Sequence, residues 1–143
     1  MIFPDINMLL YAYDDGSKFH TSAKSWLENA LLQDEVFFSW HTITGFLRIA
    51  TNPRILSNPA SIEEAISVVT AWLALDNTHL ISLKKMNWPL FSKILIEGQA
   101  TGNLVMDAHV AAMAASCGAT VASTDRDFTR FPNIQFVDPI SKT

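Results

Sequence analysis

Short apolar runs of strand length alternate along this chain with longer stretches whose apolar residues recur at helical spacing. Ile2–Asp5 reads as a short strand, with Pro4 weakening its pairing, and Asn7–Tyr13 as one or two helical turns. Lys18–Gln33 places Phe19, Ala23, Trp26, Leu27, Ala30 and Leu31 on one helical face. Val36–Ser39 is a second strand, and His41–Ala50 a helix that Asn52-Pro53 brings to an end. Ser61 is a good N-cap, with Glu63 and Glu64 in the first turn of a helix running to about Ala74. His79–Leu83 is strand-like, and Trp88–Ala100 a helix that tolerates Pro89 in its first turn. The next helix runs from Asn103 as N-cap to Gly118 as its stop. Thr120–Ser123 and Gln135–Val137 complete the strands. The alternation predicts α/β layering around a mainly parallel sheet, without internal repeats or linkers.

Composition narrows this picture. The 143 residues suit one domain spanning 1–143, and at 49% hydrophobic they can fill a core. Only 17% are charged, which leaves apolar surface for an oligomer or a permanent partner. A net charge of −4 argues against a sequence-wide nucleic-acid grip but leaves room for a cation-dependent nuclease. The single cysteine, Cys117, excludes zinc fingers and internal disulfides and reads as a buried, inert thiol. Asp5 and Asn7 interrupt the apolar start, so no signal peptide is expected. No apolar run reaches the ~20 residues of a membrane span, and a cytoplasmic location is expected.

The candidate chemistry lies in four aspartates. Asp5 and Asp125 each follow a predicted strand, at the end where open α/β sheets bind ligands. Asp127 comes two residues later. Asp107 shares a helix face with Ala111 and Ala114, where a dry, unpaired carboxylate is costly. Each aspartate alone also reads as a turn, cap or helix-dipole residue. Brought together, they would repel one another unless a cation neutralised them, and Mg²⁺ or Mn²⁺ suits an all-carboxylate set. Asn7 and Thr124 could support the group, and Arg48 could contact phosphate. Arg126 and Arg130, beside the last aspartates, could offset acidity. His20, His41, His79 and His109 have no ligand spacing, and the four tryptophans read as core.

Pro4-Asp5-Ile-Asn7-Met-Leu-Leu-Tyr-Ala12, Gly45-Phe-Leu-Arg48-Ile-Ala-Thr-Asn-Pro53, Asn103-Leu-Val-Met-Asp107-Ala-His-Val-Ala112 and Ser123-Thr-Asp125-Arg-Asp127-Phe128 together resemble PIN-domain proteins. More narrowly, they resemble the VapC-like ribonuclease toxins of toxin–antitoxin pairs. The resemblance implies a three-layer α/β/α fold with a central parallel sheet of about five strands. It implies an acidic pocket that holds Mg²⁺ or Mn²⁺ and cleaves RNA, with tRNA and rRNA as substrate classes. Asp5, Asp107 and Asp125 match the metal-site aspartates and Asp127 a more variable acid. Asn7 and Thr124 match supporting polar residues. A homodimer and a small VapB-like antitoxin are further implications. Two positions depart from the pattern. Gly45 stands where many PIN domains carry a Glu, and Ile6 where a hydroxyl residue is common. Gly45 leaves open whether one or two cations bind. It also gives rise to an alternative, a catalytically degenerate PIN-fold module acting through its dimer and partner surface. A phosphotransferase using Asp5 as nucleophile is disfavoured, because Asn7 occupies the place of its second aspartate.

Overall fold

A computed structural model describes residues 1–141. Five strands form one sheet in the order β3-β2-β1-β4-β5, and every neighbouring pair is parallel. The strands are β1 (Ile2–Pro4), β2 (Val36–Ser39), β3 (Thr78–Ile81), β4 (Thr120–Ala122) and β5 (Phe136–Val137). The helices are α1 (Ile6–Tyr13), α2 (His20–Gln33), α3 (Trp40–Ala50), α4 (Ile62–Leu73), α5 (Trp88–Glu97) and α6 (Leu104–Ser116).

Two apolar cores lie on opposite faces of the sheet, as side-chain alternation along strands requires. Val36 and Phe38 of β2 pack with Leu9, Leu27, Phe46 and Trp72 from α1 to α4. Phe37, between them, joins Phe3, Ile94, Val110, Met113 and Val121 against α5 and α6. This gives the expected three layers. Helix α6 is almost wholly apolar, with Ala108 and Val110–Ala114 buried. Its alanines let the helix lie close to the sheet, which brings its N-terminal end to the carboxyl edge of the strands.

Most element ends lie within three residues of their sequence positions, and the shifts have local causes. Strand β1 stops at Pro4 because Asp5 turns out of the sheet to cap α1. Toward β4 the register runs Ile2 with Thr120, Phe3 with Val121 and Pro4 with Ala122. Toward β2 it is limited to Ile2 with Val36, in keeping with a proline that has no N–H to donate. Ser39 starts α3 one residue early through a capping box with Thr42. Ser61 and Glu64 form the same device on α4. Asn103 stands before α6 but makes no side-chain cap bond, contrary to its sequence reading. Gly118 ends that region at φ +70°, a conformation that favours glycine.

The chain runs from β1 outward through β2 to β3, then returns to the other side of β1 with β4. The reversal of strand order therefore falls between β1 and β4. Crevices of this kind, beyond the carboxyl ends of the strands, are where open α/β sheets bind ligands.

Candidate active site

Asp5 follows β1 and Asp125 lies three residues beyond β4, so both emerge at this crevice. The Asp5 N–H donates to the Ala122 carbonyl at 2.9 Å and ties the two strand ends together. The Asp5 carboxylate accepts from the Ile6 N–H at 2.8 Å and from the Ser123 hydroxyl at 2.9 Å. Asp5 is thus both the N-cap of α1 and a member of the acidic group.

Ser123 is the knot of the site. It is fully buried, and its single hydroxyl proton goes to Asp5. Its oxygen accepts from Asn7 Nδ2 at 3.1 Å and from the Asp125 N–H at 3.0 Å. A hydroxyl offers one donor and two acceptor positions, so Ser123 is fully used. Asn7 Nδ2 also reaches Thr124 Oγ1 at 3.1 Å. The Asp127 N–H donates to Asp125 Oδ1 at 2.9 Å, which turns the chain and places both carboxylates on one side.

Asp107 arrives from the first turn of α6. One carboxylate oxygen from each of Asp107, Asp125 and Asp127 lies within 4.8 Å of the others. Burial, reinforced by the charges of Asp125, Asp5 and Asp127, pushes the Asp107 carboxyl from 3.8 up to about 7. Burial also raises Asp5, against the lowering pull of its bonds from Ser123 and Ile6. Clustered carboxylates with raised proton affinity are the condition that a divalent cation relieves. Three convergent oxygens of hard donor character suit Mg²⁺ or Mn²⁺.

Of the four candidate aspartates, Asp107, Asp125 and Asp127 converge, while Asp5 stands outside that trio and is coupled to it through charge, with Asn7 and Thr124 joined to it through Ser123. Arg48 does not join the group. It is exposed in the last turn of α3 and engages no carboxylate among the described residues. Arg126 turns toward Asp138 at 4.0 Å, and Arg130 toward the Gly98 carbonyl at 3.5 Å. Gly45 and Ile6, far apart in sequence, lie against each other. A β-carbon added to Gly45 would overlap Ile6 Cδ1 and come within 3.1 Å of Ile6 Cγ1.

Three features escaped the sequence reading. The role of Ser123 was hidden because a lone serine at a strand end carries no periodic signal. His41 and His109 are not scattered; their rings sit 5.3 Å apart, continued by Phe91 and Trp88. Burial lowers the pKa of both histidines, and for His109 the charge of His41 adds to it. Of the tryptophans, Trp72 belongs to the core, but Trp40 and Trp88 are about 60% exposed. Cys117 is half-buried, and burial pushes its thiol pKa up, in line with an inert role.

The model of the PIN domain family matches residues 2–134. This chain belongs to the PIN domain family. Among relatives of this PIN domain, the ribonuclease VapC37 of Mycobacterium tuberculosis is 35% identical over 136 residues, covering 94% of each chain. Two solved structures share the fold. VapBC2 from Rickettsia felis, bound to a DNA fragment from its promoter, matches with a TM-score of 0.70 at 18% identity, over 96% of this chain and 98% of that one. A toxin–antitoxin complex from Klebsiella pneumoniae matches with a TM-score of 0.65 at 17% identity, over 97% and 98%. No helix among the described residues is long and apolar enough to cross a membrane.

Proposed function

We propose that this PIN domain is a metal-dependent endoribonuclease toxin of VapC type, neutralised by a VapB-like antitoxin. The observation that carries the reading is the convergence of Asp107, Asp125 and Asp127 within 4.8 Å beside Asp5, at the strand-order reversal. The 35% identity to a ribonuclease over nearly the full length supports it.

Asp107, Asp125 and Asp127 would hold Mg²⁺ or Mn²⁺, with Asp5 completing the acidic wall. When bound, the cation supplies Lewis acidity and shields the phosphodiester's charge. The chain's own residues prepare that place. Ser123 and Asn7 fix Asp5 and the backbone of Asp125, so the carboxylates are oriented before substrate arrives. Asp107 binds a proton readily near neutral pH and must surrender it when a cation enters. The substrate class is tRNA or rRNA, and hydrolysis leaves a 5′ phosphate and a 3′ hydroxyl. The active unit is a homodimer, for which exposed Trp40 and Trp88 offer apolar surface.

The test is cleavage of a mixed tRNA and rRNA pool by the purified, antitoxin-free chain, with Mg²⁺, Mn²⁺ or EDTA, alongside Asp5→Asn. Discrete metal-dependent fragments that vanish in the variant are expected. An active, folded Asp5→Asn protein would overturn the assignment.

A further inference from the structure

The carboxyl ends of the parallel strands lie along one edge of the sheet, and the acidic residues that follow strands take only its β1 and β4 part. The β3 part of that edge, two strand spacings or about 10 Å from β1, carries rings. His41 comes two residues after β2, while residues 84–87 lead from β3 into α5, whose first turn holds Trp88 and Phe91. The rings of Trp88 and Phe91 meet at 6.0 Å, those of Phe91 and His109 at 5.6 Å, and those of His109 and His41 at 5.3 Å. They form one row, half-buried at the histidines and 61% exposed at Trp88. A hollow of about 270 Å³ opens along it, lined by Leu83, Lys84, Lys85, Trp88, Phe91 and His109, and no Asp or Glu lines it among the described residues. Lys84 and Lys85 are exposed, and neither pairs with a carboxylate among the described residues. Asn87 shapes the turn that carries them: its Oδ1 accepts from the Lys84 N–H at 2.9 Å, and its own N–H donates to the Lys84 carbonyl at 2.8 Å.

In a chain of net charge −4, cations and aromatic faces thus meet here without an acid between them. A strand of unpaired nucleotides satisfies both, with phosphates for the lysines and base faces for the rings. His109 lies two residues beyond Asp107 in α6, a step that turns the helix by about 200°. The rings and the acidic group therefore flank α6, and a base on the rings is a neighbour of the scissile bond, not the base at it. We propose that Trp88 and Phe91, with Lys84 and Lys85, form a stacking subsite for an unpaired nucleotide of the RNA next to the one held at the acidic group. The inference rests on the ribonuclease reading above and names a surface that grips the strand. Interfaces between protein copies are depleted in lysine. The two lysines therefore favour nucleic acid at Trp88 and leave Trp40 as the apolar surface for a second copy.

Fluorescence anisotropy of labelled oligoadenylate with the purified full chain in EDTA reads binding apart from cleavage. Trp88→Ala should weaken binding about tenfold, the loss of one stacked base, and Trp88→Phe should retain most of it. Lys84→Ala/Lys85→Ala should lower the slope of log affinity against log salt by about 1. Leu32→Ala, which removes an exposed apolar side chain of α2, should change neither. Wild-type affinity in a folded Trp88→Ala chain, checked by circular dichroism, would overturn the subsite. If that variant also elutes as a monomer where the wild type is a dimer, the surface belongs to a second copy instead. A wild-type chain that binds through Trp88 yet cuts no RNA with Mg²⁺ or Mn²⁺ would fail the ribonuclease reading and keep the subsite, so the two can fail separately.

Discussion

Replacing Asp107 by Asn should stabilise the cation-free protein, and the gain should depend on pH in a defined way. The Asp107 carboxyl titrates near 3.8 in an unfolded chain and at about 7 in the fold. Between these values the folded state binds more protons than the unfolded one, so stability falls as pH rises through the window. Above pH 7 the loss is complete; below pH 4 it is absent. At about 1.4 kcal/mol for each tenfold change in proton affinity, the shift corresponds to about 4 kcal/mol. Asp107 is only half-buried, and solvent screening reduces the usable figure to ~1–2 kcal/mol. Asn has nearly the same shape and no charge, so it escapes the penalty. Urea unfolding in EDTA at pH 4, 5, 6, 7 and 8 should show the variant and wild-type curves diverging progressively, with the variant more stable by ~1–2 kcal/mol at pH 8. Millimolar Mn²⁺ should close or reverse the gap by stabilising only the wild type. A difference that stays constant from pH 4 to 8 would refute the reasoning, because it would place the effect in packing and not in charge.

Asp5→Asn keeps the acceptor that caps α1 and should leave the thermal midpoint within a few degrees while abolishing RNA cleavage in gel assays. Ser123→Ala removes the shared hydroxyl, takes a donor from the Asp5 carboxylate and the acceptor from the Asp125 N–H, and should cost about 1–3 kcal/mol in urea unfolding, with weaker Mn²⁺ binding by calorimetry. Ser61→Ala breaks the capping box of α4 far from the acidic group; it should cost about 1 kcal/mol in the same unfolding assay and leave cleavage unchanged. Gly45→Ala gains about 1 kcal/mol of helix propensity within α3 but displaces the end of the Ile6 side chain, so its urea midpoint should stay close to wild type, and adding Ile6→Val, which removes that end, should raise it.

The layered fold and the four aspartates were legible because each rests on a local signal. Val36–Ser39 is an apolar run bounded by polar residues, and the Ala-rich stretch after Asn103 reads as a buried helix whatever surrounds it. Asp5 and Asp125 were found by their place after strands, which the sheet then turned into proximity. What could not be read depends on contacts between distant segments. Ser123 acquires its meaning only when Asp5, 118 residues away, reaches it. Ile6 and Gly45 each looked like a separate departure from a pattern, and only the packing of α1 on α3 makes them one feature. Trp40 and Trp88 read as core by composition, yet both stand at helix starts where the chain faces outward. Asn103 satisfied the rule for a cap residue, but its backbone is already helical, which takes its side chain out of capping reach.

The knot at Ser123 also sets a clock on synthesis. Its bonds join residue 123 to residues 5 and 7, so nearly the whole polypeptide separates the partners. Strand β1, made first, finds its partner β4 only after residues 120–122 have been translated and released. Until then Asp5 has no Ser123, and a chain that stops short of β4 lacks the assembled acidic group. The acidic group is thus a late product of folding, assembled only after the residues of β4 and the turn that follows it have joined β1.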